Sequence, residues 1–277
     1  MQGRLSPPVN NRIQAFPHGY WQNEFALCAG YGLGCIEWLY EYDPRKKNPL
    51  DSDEGIAEIV KLRQEYDVQV NSVLADYFMI KKLFGSTRAE VKTAVENLKF
   101  LIRQCGKCAI NIIEIPFVDA SALNTEKDKR EAIENLLSVL DLASINNVVI
   151  SLETSLPPVA FHDLICFFDS PFIKVNYDMG NSAAMGFDPW EEIELLGEFI
   201  ANVHIKDRIK GGGTVPLGTG DTDFSAVFGA LKEKGYEGDF ILQAARQDID
   251  NCAPERNIEE TVSSYINFVK PLLRDFV

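Results

Sequence analysis

The feature that most limits what this chain can fold into is a repeated alternation: short Val- and Ile-rich runs, each followed by a longer stretch with helical periodicity. Eight runs are found, at 1–5, 34–39, 68–74, 110–116, 148–153, 173–178, 200–206 and 239–243. Helical patterns occupy about 23–31, 53–66, 88–104, 127–145, 158–168, 190–196, 224–234 and 255–274. Parallel strands cannot be joined by a tight turn, so a helix carries the chain back. Eight strands and eight helices in strict alternation predict an α/β fold, a closed (β/α)8 barrel formed by residues 1–277 as a single domain. The stretch Ser86-Thr87-Arg88-Ala89-Glu90 offers an N-cap followed by an acidic first turn. Gly106, Gly197 and Gly235 fall where helix C-termini need a left-handed residue.

Bulk properties exclude some classes of function. At 46% hydrophobic residues, the chain can bury a sizeable core. Its formal net charge of −14 repels polyanions, and the longest basic cluster, Arg45-Lys46-Lys47, is a short solvated loop. Neither nucleic acid nor a membrane surface is an expected partner. There is no bilayer-length apolar run and no signal-peptide pattern at Met1, so the expected location is cytoplasmic. The six cysteines read as reduced, mostly buried thiols. Cys105 and Cys108 have CxxC spacing, but no second pair follows, and they stand where a helix should be ending.

In such a barrel the inward faces are expected to be packed apolar layers, with chemistry placed where strands end at the C-terminal mouth. The strand ends read Glu37, Asp76, Glu114, Glu153, Asp178, His204 and Gln243. Alternation puts Asn202, His204 and Lys206 on one face, Asn176 with Asp178, and Ser151 with Glu153. Several carboxylates converging on one mouth would repel one another and lose hydration, a cost that a cation removes. Two carboxylates, one imidazole and one amide oxygen suit Mn2+, Mg2+, Co2+ or Zn2+.

The segments Ile36-Glu37-Trp38, Leu152-Glu153-Thr154, Tyr177-Asp178-Met179-Gly180-Asn181, Val203-His204-Ile205-Lys206-Asp207 and Pro216-Leu217-Gly218-Thr219-Gly220 resemble, in this order, the sugar phosphate isomerase/epimerase family of xylose isomerase-like TIM barrels. The opening Met1-Gln2-Gly3-Arg4-Leu5 is also similar to that of family members. The resemblance implies a metal-dependent isomerase or epimerase of a small sugar or sugar phosphate, acting through an enediolate. It implies metal ligation by Glu153, Asp178, His204 and Gln243, with Glu153 as the base. Gln243 departs from the family, which has Glu there. An amide ligates through its oxygen but cannot exchange a proton, so a two-carboxylate epimerisation loses one partner. That departure shifts the expectation toward aldose–ketose isomerisation. A second departure is Asn181, where epimerases of free ketoses place His.

Other candidates surround this set. Glu114 or Glu37 could supply the missing proton, and Lys206 could polarise a substrate oxygen. Arg4, Glu37, His18, Asn181, Asp207, Arg208 and Arg246 are candidate substrate-binding residues. Lys206-Asp207-Arg208, the following Gly211-Gly212-Gly213 and Arg246 make a candidate anion clamp. Asp207 could instead orient Lys206 or a metal ligand. Trp21, Trp38 and Phe78 are either a wall against a sugar face or plain packing, and His162 reads as a helix-surface residue. A homodimer is an expected assembly for this family. Two competing readings stay open: a degenerate sugar-binding barrel, favoured by Gln243, and a related apurinic-site endonuclease, which would need more histidines and a basic track.

Overall fold

A computed structural model describes residues 1–2, 5–9, 12, 14–246, 258–274 and 276. The strands are β1 (Trp38–Leu39), β2 (Ser72–Leu74), β3 (Ile112–Phe117), β4 (Val149–Thr154), β5 (Ile173–Asp178), β6 (Ile200–Ile205), β7 (Asp207–Arg208), β8 (Thr214–Val215) and β9 (Asp239–Leu242). Among the described residues, β1, β2, β3, β4, β5, β6 and β9 pair in that order as a curled parallel sheet. The ends of that sheet are linked through Gln2. Its N–H donates to the Leu242 carbonyl at 3.2 Å, it forms a parallel bridge with Glu37, and the Glu37 N–H donates to the Met1 carbonyl at 2.9 Å. Among the described residues, the eighth position of the (β/α)8 barrel is a single bridge at Gln2, and residues 3 and 4 of the strand expected over 1–5 lie outside the described residues. Arg4 lies outside the described residues.

The helices are α1 (Trp21–Gly30), α2 (Asp53–Tyr66), α3 (Tyr77–Ile80), α4 (Arg88–Lys107), α5 (Glu126–Leu137), α6 (Leu140–Ile145), α7 (Pro158–Phe168), α8 (Met179–Met185), α9 (Pro189–Leu196), α10 (Phe224–Glu233) and α11 (Ile258–Val269). Local chemistry explains their limits. Thr87 and Glu90 form a reciprocal capping box that starts α4, and Thr125 with Asp128 starts α5 the same way. The single helix expected over 127–145 is broken. Ser138 Oγ donates back to the Asn135 carbonyl at 2.6 Å, competing with the helical ladder, and Val139 turns into the core. Of the three glycines expected to be left-handed, only Gly235 is, with φ +66°. Gly106 lies inside α4 and Gly197 keeps right-handed dihedrals (φ −54°) after α9; both are close-packing positions, where a Cβ would meet Asn146 Oδ1 at 2.7 Å and Lys234 Cγ at 2.6 Å. Cys105 and Cys108 are free, buried thiols at the end of α4. Among the described residues, no helix is long and apolar enough to cross a membrane.

The barrel interior departs from the expected apolar layers. Gln2, Glu37, Ser72, Glu114, Ser151, Asn176, Asn202 and His204 are each at most 2% exposed. They meet across the lumen: Asn202 of β6 donates to Glu37 Oε2 at 3.1 Å, and His204 Nε2 lies 3.1 Å from Glu114 Oε2 of β3. The apolar alternates, such as Ile113, Ile115, Ile150, Leu152, Val203 and Ile205, belong to the hydrophobic core. Buried polar groups are usually partnered, but here both Glu114 carboxylate oxygens, Ser151 Oγ and both Gln2 side-chain polar atoms have no hydrogen-bond partner among the described residues.

Candidate active site

Glu153, Asp178 and His204 end β4, β5 and β6, three neighbouring strands. One ligand atom from each lies within 4.8 Å of the others, and all three side chains are buried. The group can hold a metal ion, since two carboxylate oxygens and an imidazole nitrogen are a divalent-ion donor set. The sequence locally builds this precision. Asp178 caps α8, with Oδ1 accepting the Asn181 N–H at 2.8 Å, which leaves Oδ2 to face Lys206 Nζ at 3.0 Å and His204 Nδ1 at 3.8 Å. The Asn181 side-chain amide donates to Glu153 Oε1, and its Oδ1 accepts from Arg208 Nη1 at 2.7 Å. Lys206 also donates to Gln243 Oε1 at 2.9 Å. Gly180 makes room for this lysine, because a Cβ there would lie 2.8 Å from Lys206 Cγ.

Electrostatics divide the carboxylates into two kinds. Burial opposes ionisation of Asp178, but the Lys206 ammonium and His204 overcome it and hold the carboxyl well below its usual range. Burial drives Glu114 the other way, well above the usual range, with His204 drawing it partly back. The His204 ring is held well above its ordinary value although burial opposes its charge, because Glu114 and Glu37 face it.

The architecture agrees with what is found in known proteins. The model of the xylose isomerase-like TIM barrel family matches residues 25–267. The chain belongs to this family. L-Ribulose-5-phosphate 3-epimerase UlaE of Salmonella heidelberg is 25% identical over 259 residues, covering 90% of each chain. Among solved structures, an L-ribulose 3-epimerase superposes with a TM-score of 0.76 at 17% identity, covering 94% of this chain and 90% of that one. The IOLI protein, solved with a zinc atom, gives 0.74 at 18% identity, covering 93% and 94%. Two of these three relatives of the xylose isomerase-like barrel are named as sugar epimerases.

Glu153, Asp178, His204, Lys206, Asn181, Arg208 and Gln243 are linked in one network at the mouth, but other sequence candidates are placed elsewhere. Glu37 and Glu114 lie below His204 with side chains 0% exposed, so neither faces a ligand at the mouth. Asp207 sits on the opposite face of the chain from Lys206. Its carboxylate accepts the N–H groups of Gly218, Thr219, Gly220 and Thr222 at 2.8 to 3.2 Å, so it anchors the 216–222 loop and orients neither Lys206 nor a ligand. Arg246 Nη1 donates to the Ser6 carbonyl at 2.8 Å and ties the N-terminal loop to the end of β9. The Arg208 guanidinium also holds the Gly212 carbonyl at 2.7 Å, which braces the β7–β8 hairpin. His18 packs edge-on against Phe16, with ring centroids 4.9 Å apart, and burial, then Lys46, lowers its pKa. Trp21, Trp38 and Phe78 are buried in the core, which favours the packing reading.

Asp76, one of the polar strand ends expected at the mouth, stands two residues beyond the end of β2. Its Oδ2 accepts from Gln14 Nε2 at 2.5 Å. Burial, together with Glu153 and Glu41, raises its pKa to about 6, against the pull of Gln14 and Lys206. A carboxyl with a raised folded pKa contributes stability that is complete below about pH 4 and is lost as pH rises through about 6. Asp76→Asn, which keeps an acceptor for Gln14, is therefore expected to stabilise the protein by about 1–3 kcal/mol at pH 7.5 and by almost nothing at pH 4. Urea unfolding at the two pH values checks this, and equal effects at both would refute it.

Proposed function

We propose that this chain is a divalent-metal-dependent isomerase or epimerase of a small sugar or sugar phosphate, acting through an enediolate. The observation that carries the reading is the convergence of Glu153, Asp178 and His204 at three neighbouring strand ends. The donors suit Mn2+, Mg2+, Co2+ or Zn2+, and such an ion, when bound, polarises a carbonyl and its neighbouring hydroxyl. Glu153 takes the proton from the carbon beside the carbonyl, held in orientation by the Asn181 amide. Lys206, tied to Asp178 and Gln243, places positive charge on the side where the second carboxylate of the two-base scheme is missing, and serves there as the proton donor. Gln243 contributes an amide oxygen and no proton. Glu114 is released from the donor role, since it lies beneath His204 and not beside a substrate.

A degenerate, sugar-binding barrel is the second reading, favoured by Gln243. One experiment separates the two. The protein is loaded with Mn2+ and incubated in heavy water with pentuloses, pentulose 5-phosphates and the matching aldoses, and deuterium uptake beside the carbonyl is followed by mass spectrometry. Uptake into one of these sugars is expected. Stoichiometric metal with no uptake from any of them would leave binding as the function.

A further inference from the structure

The lumen beneath the mouth is built around one nitrogen. His204 Nε2 lies 2.7 Å from Glu37 Oε1 and 3.1 Å from Glu114 Oε2, while Nδ1 lies 3.4 Å from Asn176 Nδ2 and 3.8 Å from Asp178 Oδ2. The two carboxylates below the ring are not equivalent. Glu37 is locked in place: its Oε2 accepts from Ser72 Oγ at 2.9 Å and from Asn202 Nδ2 at 3.1 Å, and Asn202 is itself fixed by donating to Asn176 Oδ1 at 2.9 Å. Glu114 has neither oxygen in a well-directed hydrogen bond, so the ring N–H points at Glu37.

From this geometry we infer that Glu37 is the positioning residue of His204: by accepting Nε2–H it fixes the ring and leaves Nδ1, on the Asp178 side, as the nitrogen that a metal ion would take in place of a proton. The inference rests on the metal site proposed above. An imidazole that ligates a metal keeps one N–H and gives up the other proton, and the partner of the retained N–H decides which nitrogen ligates. A carboxylate on the distal N–H also makes the ligating nitrogen more basic, and loss of such a partner typically weakens metal binding by about 10- to 100-fold. The function of Glu37 is then exerted through His204 and not on a substrate. Its surroundings explain why an amide cannot replace it. In Glu37→Gln, turning the amide oxygen toward His204 would set the NH2 against the donors Ser72 and Asn202.

The test uses Zn2+ and Mn2+ affinity together with 15N spectra of the histidine rings. The sequence has three histidines, and His18 and His162 stand outside the metal group, so the double variant His18→Gln/His162→Gln leaves His204 as the single signal. The expected result is a hydrogen-bonded Nε2–H in the metal-free protein and a Zn2+-induced shift at Nδ1. Glu37→Gln is expected to lose about 10- to 100-fold in metal affinity and to lose the downfield Nε2–H signal. Glu114→Gln should change affinity little. A Zn2+-induced shift at Nε2, or unchanged affinity and ring signals in Glu37→Gln, would overturn the inference. Should the parent protein bind neither metal, the proposed function falls, yet the Nε2–H signal and its loss in Glu37→Gln still decide the positioning role. If Glu37→Gln does not fold, Ser72→Ala is the second probe: it frees one anchor of Glu37 and should weaken the same signal, and an undisturbed signal counts against the inference.

Discussion

Glu153→Gln is expected to lower turnover, or solvent exchange, by about 10^2- to 10^4-fold, the usual worth of a general base. In barrier terms this is about 3–5 kcal/mol. The substitution is unusually clean at this position. The Gln oxygen can still accept the Asn181 amide that now reaches Glu153 Oε1, and an amide oxygen still offers itself to a metal ion. What is removed is the capacity to take up a proton. Metal content, measured by elemental mass spectrometry, should stay near that of the parent while kcat collapses. A variant with full turnover would show that the base lies elsewhere, and a variant without metal would show that the carboxylate charge is needed for ligation.

His204→Ala is expected to act on stability as strongly as on metal binding. His204 is the charged partner of two carboxylates whose side chains are 0% exposed. Removing one member of a buried ionic group leaves the others uncompensated, at a typical cost of about 3–5 kcal/mol. His204, whose folded pKa is raised by Glu114 and Glu37, contributes stability that is present below about pH 6.5 and is lost as pH rises, so the variant's deficit against the parent should be larger at pH 5 than at pH 8. Urea unfolding at both values provides the check. A deficit that does not change with pH would mean that lost packing, and not stranded charge, sets the cost. Glu114→Gln in the same background should recover part of the loss, because its carboxylate has no hydrogen bond of its own.

The order of the elements was legible in the chain, and for plain reasons. The limits of α2 and α7 follow from local signals: Ser52 caps the first, and Pro157-Pro158 opens the second. The faces of the side chains that end β4, β5 and β6 were also legible, because a period of two fixes which side chains share a face, and Asn176/Asp178 and Asn202/His204 keep that phase. The same rule already separated Lys206 from Asp207, though only the folded 216–222 loop gave the aspartate its four amide partners. Short elements such as α3, α8 and the β7–β8 hairpin escaped, being too brief to carry a period.

What alternation along one strand cannot give is height along the barrel axis. Glu114 and Glu153 both read as strand-end acids, yet Glu114 pairs with Ser151, whereas Glu153 pairs with Pro116. That two-residue offset sets Glu114 about 7 Å lower along the strands, under the imidazole and away from the mouth. Register between strands is decided by closure of the whole sheet, to which Gln2 contributes a single bridge. The sequence by itself determined the barrel, the order of its elements and the polar residues at its strand ends. The tertiary structure alone decided that Glu37 and Glu114 lie beneath His204, because depth in a closed sheet depends on the stagger of all its strands at once.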